Sequence, residues 1–376
     1  MVSGVTYPYA LLDSFCLDVF ETFGFSPSQS RIITDVLLLS DLYGIESHGM
    51  QRMVRYHKCI EKGMIDVQAK SEIIFETAVS AVIDGHDGMG QLLGHEAMAL
   101  AMKKARESGI GIVALRNSNH YGIAGYYAKM ACDQGLIGMS CTNSEAIMVP
   151  THGRFAMLGS NPIACAMPAD PYPFFFDAST TVVTRGKLEM YNKMQKPLPE
   201  GWALDQNGHQ STDAPLVLKN ILQKNGGGIM PLGGSDETAG SHKGYGYGML
   251  CEIFSSILSL GMTSNYTMQG GKGGICHGFA AIDPAIFGNP EEIKTHFSRF
   301  LQELRMSPKA EGQSHVYTHG EKEIAAMKRR QKEGIPVSEG TMIEIFDLCA
   351  YLHMDPTRYF GEYQPNQVQK MYRQNY

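Results

Sequence analysis

Gly109-Ile110-Gly111-Ile112-Val113-Ala114-Leu115, running on into Asn117-Ser118-Asn119-His120-Tyr121-Gly122-Ile123-Ala124-Gly125, is the stretch that decides the fold. Its first six residues have the Gly-x-Gly-x-x-Gly/Ala spacing of a dinucleotide-binding turn. Such a turn must follow a strand and open a helix, so that a phosphate meets the amides of the helix start. Here the order is reversed. Glu107-Ser108-Gly109 closes a helix, with the glycines as cap residues, and residues 111–115 form the short β-branched strand that it feeds. No Gly-x-x-x-x-Gly-Lys-Ser/Thr loop occurs either. Any dinucleotide is therefore held without an ordinary Rossmann fingerprint.

His120 falls just past the carboxyl end of that strand, where α/β sheets usually place their ligands. A side chain that titrates near neutral pH suits general acid/base work. A hydrogen-bonded loop histidine is the plainer alternative, and the other clusters decide between them.

A chain of 376 residues is long enough for two or three domains. With a net charge of −6 and basic residues dispersed except in 322–332, it offers no general nucleic-acid surface. The amino end, Met1-Val2-Ser3-Gly4-Val5-Thr6-Tyr7-Pro8, lacks a basic region followed by an apolar stretch. No run reaches the roughly 18 apolar residues that span a bilayer, so neither secretion nor membrane insertion is expected. The eight cysteines lie apart in mostly apolar contexts with no Cys-x-x-Cys pair, which predicts reduced thiols in a cytoplasmic protein. Thirteen histidines include no His-Glu-x-x-His, so no metal is expected.

Residues 1–75 read as an N-terminal helical segment, with helices over 10–23 and 27–43; Ser26 is the N-cap of the second and Pro27 its first position. From 76 to 182 strands and helices alternate, at 81–84, 91–107, 111–115, 123–134, 136–142, 162–167 and 174–177, as in an α/β core. Residues 183–266 read as a glycine-rich helical insertion, and 267–320 restore the α/β domain with a strand over 279–284 and a helix over 290–305. Residues 321–376 read as a C-terminal helical segment, with a helix start at Ser338-Glu339-Gly340-Thr341. The N-terminal, inserted and C-terminal segments are expected to build a helical domain beside the α/β domain.

Four further clusters carry polar chemistry. In Glu46-Ser47-His48-Gly49-Met50-Gln51-Arg52, His48 and Arg52 are four residues apart and can share one helix face. Arg52 offers a planar fork for a carboxylate, while Ser47 and His48 offer hydrogen bonds or a second proton carrier. A helix cap with a surface salt bridge would explain the same residues. Cys141-Thr142-Asn143-Ser144 and Leu158-Gly159-Ser160-Asn161-Pro162 are polar turns able to meet an amide ring, ribose or phosphate, or simply to turn the chain. Asp177-Ala178-Ser179-Thr180-Thr181 reads as a strand end entering a helix, whose amides could cap a phosphate. From Gly233-Gly234 to Ser241-His242-Lys243-Gly244-Tyr245-Gly246-Tyr247-Gly248, glycines permit close approach and a lysine can neutralise an anion.

With these motifs in order, from about Leu12 to Met342, the chain resembles the second-type malate/L-lactate dehydrogenase family, which includes ureidoglycolate dehydrogenase and diketogulonate reductase. The resemblance rests on Ser47-His48-Gly49 with Arg52, Ser118-Asn119-His120-Tyr121-Gly122, Thr142-Asn143-Ser144, Gly159-Ser160-Asn161-Pro162-Ile163-Ala164, Asp177-Ala178-Ser179-Thr180 and Lys243-Gly244-Tyr245-Gly246. It implies a non-Rossmann NAD(P)-binding α/β fold, a homodimer, and NAD or NADP as hydride carrier. His120 or His48 would carry the proton, and Arg52 would clamp the acid's carboxylate with Ser47 or Asn161 supporting its oxygens. Coenzyme contacts would fall on Ser144, Ala178, Ser179, Thr180, His242 and Lys243, with Gly320 and Glu321 nearer the adenosine or pyrophosphate. Malate/oxaloacetate is the leading substrate pair. Lactate, another 2-hydroxy acid or a cyclic imino acid are the alternatives, and so is a cofactor-binding relative that has lost turnover. The sequence departs from the family in Ala178 after the aspartate, where many members have methionine, in His242 before the lysine, and in the tail at 355–376.

Overall fold

The computed structural model describes residues 4–363, so most of the tail at 355–376 lies outside the described residues. In chain order, β1 (Gly4–Tyr7), α1 (Tyr9–Thr22), α2 (Pro27–Leu42) and α3 (Met53–Glu61) come first. Then follow β2 (Glu72–Glu76), β3 (Ser80–Asp84), α4 (Gly90–Ser108), β4 (Ile110–Ser118), α5 (Ala124–Cys132), β5 (Ile137–Thr142), β6 (Ile163–Met167) and β7 (Phe174–Ala178). The next stretch holds α6 (Arg185–Lys193), β8 (Ala203–Leu204), α7 (Ala214–Gln223), β9 (Gly228–Ile229), α8 (Ser241–Glu252), β10 (Ile275–Ile282) and α9 (Pro290–Met306). The chain closes with α10 (Glu321–Glu333), β11 (Ile335–Ser338), α11 (Glu339–Tyr351) and α12 (Thr357–Phe360).

These elements fall into two compact units, one running to Val67 and resuming at His319, the other spanning Gln68–Thr318. In the second unit a seven-stranded sheet has the order β2-β3-β4-β10-β5-β6-β7. Only β3 and β4 run parallel, joined through α4; every other neighbouring pair is antiparallel. β10, late in the sequence, is slotted between β4 and β5 at the sheet's centre. Gly109, at φ 84, is the left-handed cap of α4. Gly111 is bare for another reason: a Cβ there would stand 2.0 Å from the Ala101 carbonyl oxygen of α4. Gly138 does the same for α5, where a Cβ would lie 2.2 Å from the Ala128 carbonyl oxygen. The two glycines let a helix backbone lie directly on its strand.

The inserted segment does not join the terminal helices as expected. Residues 183–266 belong to the sheet's unit, because Leu188, Ala203, Val217, Ile221 and Ile229 bury themselves around Ile147. In the first unit β1 pairs antiparallel with β11, so the unit's two sequence segments share a ribbon. Phe15 of α1 meets Tyr359 and Phe360 of α12 edge-on at 5.1 and 4.9 Å. The start of α2 follows the sequence: Ser26 accepts the Gln29 amide, Gln29 reaches back to the Ser26 amide, and Pro27 opens the helix.

Candidate active site

β4 continues three residues past the predicted strand, and its end is held by a carboxylate on the neighbouring strand. Asp84 accepts Arg116 Nε and Asn117 Nδ2, each at 2.9 Å. Burial works against the charged form of Asp84, and the bonds from Asn117, the His86 amide and Arg116 outweigh it, holding the carboxyl below its usual range. Asn119 then donates to the carbonyls of Asp87 and Gly88 at 3.0 and 3.1 Å. Gly90, first residue of α4, must be bare, since a Cβ would stand 2.3 Å from the Asn119 oxygen and 2.5 Å from that of His120. The backbone that carries His120 is thereby seated on the start of α4. The Gly122 amide faces its Nδ1 at 3.4 Å. Five residues beyond His120, the Gly125 amide donates to Asp177 Oδ2 at 2.7 Å, which ties β7 to the start of α5.

Below this turn lies a histidine that the sequence reading passed over. His277 of β10 is fully buried, with Nε2 3.0 Å from Ser118 Oγ and 3.1 Å from the Asn119 carbonyl, and Nδ1 2.7 Å from Thr142 Oγ1. The carbonyl accepts only, so Nε2 is assigned the hydrogen. Its ring stacks on Tyr121 at 4.0 Å. Burial pushes its pKa down to about 3, so it stays neutral and serves as a pillar under residues 118–121. Placing the strand at 279–284 left Cys276-His277-Gly278 out of the sheet, and with it this signal.

The turns expected to meet a coenzyme come together in the same unit. The Ser160 amide donates to Ser144 Oγ at 3.1 Å, the Thr180 amide to the Ser160 carbonyl at 2.9 Å, and the Leu232 amide to the Thr180 carbonyl at 3.0 Å. Leu232 leads into the glycine turn before α8: a Cβ on Gly233 would stand 2.4 Å from the Gly240 carbonyl carbon. His242 and Lys243 lie exposed in the first turn of α8, and Ser144, Ala178 and Ser179 are partly exposed. Hydroxyls suited to an amide or ribose and an exposed ammonium at a helix start suited to a phosphate fit a nicotinamide dinucleotide.

Two expectations here need correction. Residues 179–181 do not enter a helix: Thr181 bridges to Pro231 and α6 begins only at Arg185, so no helix start caps a phosphate at Ser179. Asn161 does not face outward to support substrate oxygens. It is fully buried at φ 33, donating to the Gly248 carbonyl and Glu252 Oε1, each at 3.1 Å. Thr180, also buried, bonds through its hydroxyl to the carbonyls of Ser160 and Asn161. Glu252, which no sequence motif marks, and Asn143 of the first polar turn anchor these turns: Asn143 Nδ2 lies 3.4 Å from Glu252 Oε2 and its Oδ1 accepts the Cys276 amide at 2.8 Å. A π-helical turn, Ile253–Ile257, follows Glu252 directly.

In the first unit, Ser47, His48 and Arg52 lie on two 3-10 turns, Glu46–His48 and Met50–Arg52, separated by an extended Gly49. His48 and Arg52 therefore do not share a helix face, because Gly49 breaks the winding between them. They meet through Ser47 instead, whose hydroxyl lies 2.9 Å from His48 Nδ1 and whose carbonyl accepts Arg52 Nε at 2.6 Å. Burial first, then the charges of Arg52 and Arg55, push the His48 pKa down to about 3, although the residue keeps some exposed surface. Gly320, at φ 102, and the buried Glu321 open α10 in this unit. Among the described residues no three His, Cys, Asp or Glu side chains converge to hold a metal, and no helix is long and apolar enough to cross a membrane.

The sequence profile of a family described as malate/L-lactate dehydrogenase matches residues 7–345. The chain belongs to the malate/L-lactate dehydrogenase family. A malate dehydrogenase of Pyrococcus horikoshii is 42% identical over 347 residues, which is 92% of this chain and 95% of that protein. An L-sulfolactate dehydrogenase of Methanocaldococcus jannaschii is 35% identical over 90% of this chain and 95% of its own. The crystal structure of malate dehydrogenase from Entamoeba histolytica superposes with a TM-score of 0.90 at 34% identity, covering 94% of this chain and 99% of that one. This family member is thus an oxidoreductase acting on hydroxy acids with a nicotinamide coenzyme, on a mixed α/β fold of the non-Rossmann kind.

Proposed function

We propose that the enzyme interconverts malate and oxaloacetate, with His120 as proton carrier and Arg52 as carboxylate clamp. The observation that carries the proton assignment is the setting of His48. Burial first, and then the guanidiniums of Arg52 and Arg55, hold His48 neutral down to about 3. It serves as a hydrogen-bonding group set by Ser47, not as the ring that takes and returns a proton. His120, at the end of β4 and in the same unit as the coenzyme turns, carries the proton: as base when a hydroxyl is oxidised, as acid in the reverse direction.

The bound coenzyme would supply or accept the hydride. Ser144, Ala178, Ser179 and the Thr180 backbone would line its amide or ribose, and His242 and Lys243 its phosphates, with Gly320 and Glu321 assigned nearer the adenosine. The protein's own contribution is orientation: Arg52 would grip the planar carboxylate in two bonds. The same grip suits L-lactate or sulfolactate, since each has a carboxylate beside the hydroxyl carbon.

The resemblance, together with exposed Tyr247, Leu250, Phe254, Ile257 and Leu258 along α8 and its π turn, supports a homodimer. The eight cysteines are unpaired, which supports a cytoplasmic location. Following nicotinamide absorbance with NADH or NADPH against oxaloacetate, pyruvate, sulfopyruvate and a cyclic imine in separate wells tests the substrate and names the coenzyme. Fastest turnover with oxaloacetate is expected; turnover with the imine alone overturns the reading.

A further inference from the structure

The turn that carries Ser47, His48 and Arg52 is seated on a buried acid. Asp41, in the last turn of α2, accepts the Met50 amide on Oδ2 at 2.8 Å and is 4% exposed. Its carboxylate also fills the space where a side chain on residue 49 would stand: a Cβ on Gly49 would lie 1.9 Å from Oδ1 and 2.2 Å from Cγ. Gly49 has φ −85 and ψ −153, an extended conformation open to alanine, so the carboxylate and not the backbone requires the glycine. From α10, Arg330 donates Nη1 to the Asp41 carbonyl at 2.5 Å and Nη2 to Glu46 Oε1 at 2.6 Å. The turn is thus held at Glu46 and again at Met50, with the site residues between and just beyond.

An apolar side chain would fill this place without the cost of burying a charge. That cost is visible: burial, together with the Glu46 charge, raises the carboxyl to about 7 against the opposing Met50 amide and Arg330. What the acid supplies is a fixed acceptor for one amide and a stop behind one bare glycine. We infer that Asp41 is a positioning residue of the hydroxy-acid site, seating the Gly49-Met50 backbone so that Ser47, His48 and Arg52 meet the substrate in register. This rests on the substrate reading given above for Arg52 and His48.

The test is steady-state kinetics of the full chain with reduced coenzyme and oxaloacetate, with coenzyme affinity measured separately by fluorescence. Asp41→Ala should raise KM about 10- to 100-fold, as expected for a lost charge-assisted bond, with coenzyme affinity unchanged. Asp41→Asn, which keeps an acceptor oxygen, should recover most of that loss. Gly49→Ala alone should raise KM comparably, and in the Asp41→Ala background it should add little, because its collision partner is gone. Additive effects of the two substitutions, or a coenzyme affinity that falls in step with KM, overturn the inference. If Asp41→Ala does not fold, Gly49→Ala against Asp41→Asn decides: the collision should cost more than the isostere, and the reverse order overturns the inference. Arg52→Lys, measured alongside, separates the two levels. No change in its KM overturns the substrate reading itself; a rise there with none in the Asp41 and Gly49 variants overturns only the positioning role.

Discussion

His120 and His48 are the same side chain in two chemical settings, and the difference is open to measurement. Replacing His120 by alanine should lower kcat by about 10²- to 10⁴-fold, the loss typical of a general acid/base, with coenzyme affinity nearly intact. Arg52→Lys should act mainly on KM, because an ammonium cannot reproduce the fork on a carboxylate. The buried titrating groups also set the acid stability. His48 and His277 are pushed down to about 3 in the folded chain, against about 6.5 when unfolded. Between those values the unfolded chain binds protons that the folded chain refuses, so stability falls as pH drops through that window. Asp41, raised to about 7, pulls the other way: the folded chain holds its proton from about 4 upward, and that contribution is lost as pH rises through 7. Thermal melting of His277→Asn should therefore lose less stability on acidification below about 6.5 than the wild type does. An unchanged slope would remove His277 from the account.

At the scale of elements, close helix-on-strand contact does much of the positioning. Gly138→Ala would drive a Cβ to 2.2 Å from the Ala128 carbonyl oxygen, and the overpacking should cost about 1–3 kcal/mol, read as a lower urea midpoint with an unchanged slope. The helices and most strands were legible because their signals are local: the Ser26-Pro27 start and the Gly109 cap appear where the sequence places them, and the run expected at 111–115 lies inside the longer β4. What the sequence hid was long-range. Nothing near His277 says that its strand lies between β4 and β5, and nothing near Asp41 says that it closes on Gly49. The site residues followed the same rule. His120 stands just past the end of β4, where the sequence puts it, whereas nothing in the turn motifs of Asn161 and Thr180 shows that both are buried. Their burial follows from the pairing of Ser160 with Thr180 and from Glu252, which sits 91 residues beyond Asn161.

At the scale of the whole molecule, the exposed apolar row on α8 and its π turn is suited to a second copy of the chain. Phe254→Asp together with Leu250→Asp should shift the sedimentation equilibrium from dimer to monomer; a wild-type chain that sediments as a monomer would contradict the assignment. The central claim, a hydroxy-acid dehydrogenase whose proton passes through His120, is tested most directly by nicotinamide absorbance after mixing reduced coenzyme and oxaloacetate, with wild type and His120→Asn side by side. The account predicts steady loss of absorbance with the wild type and a rate lower by about 10²- to 10⁴-fold in the variant, both binding coenzyme alike. A variant that turns over at the wild-type rate would contradict it.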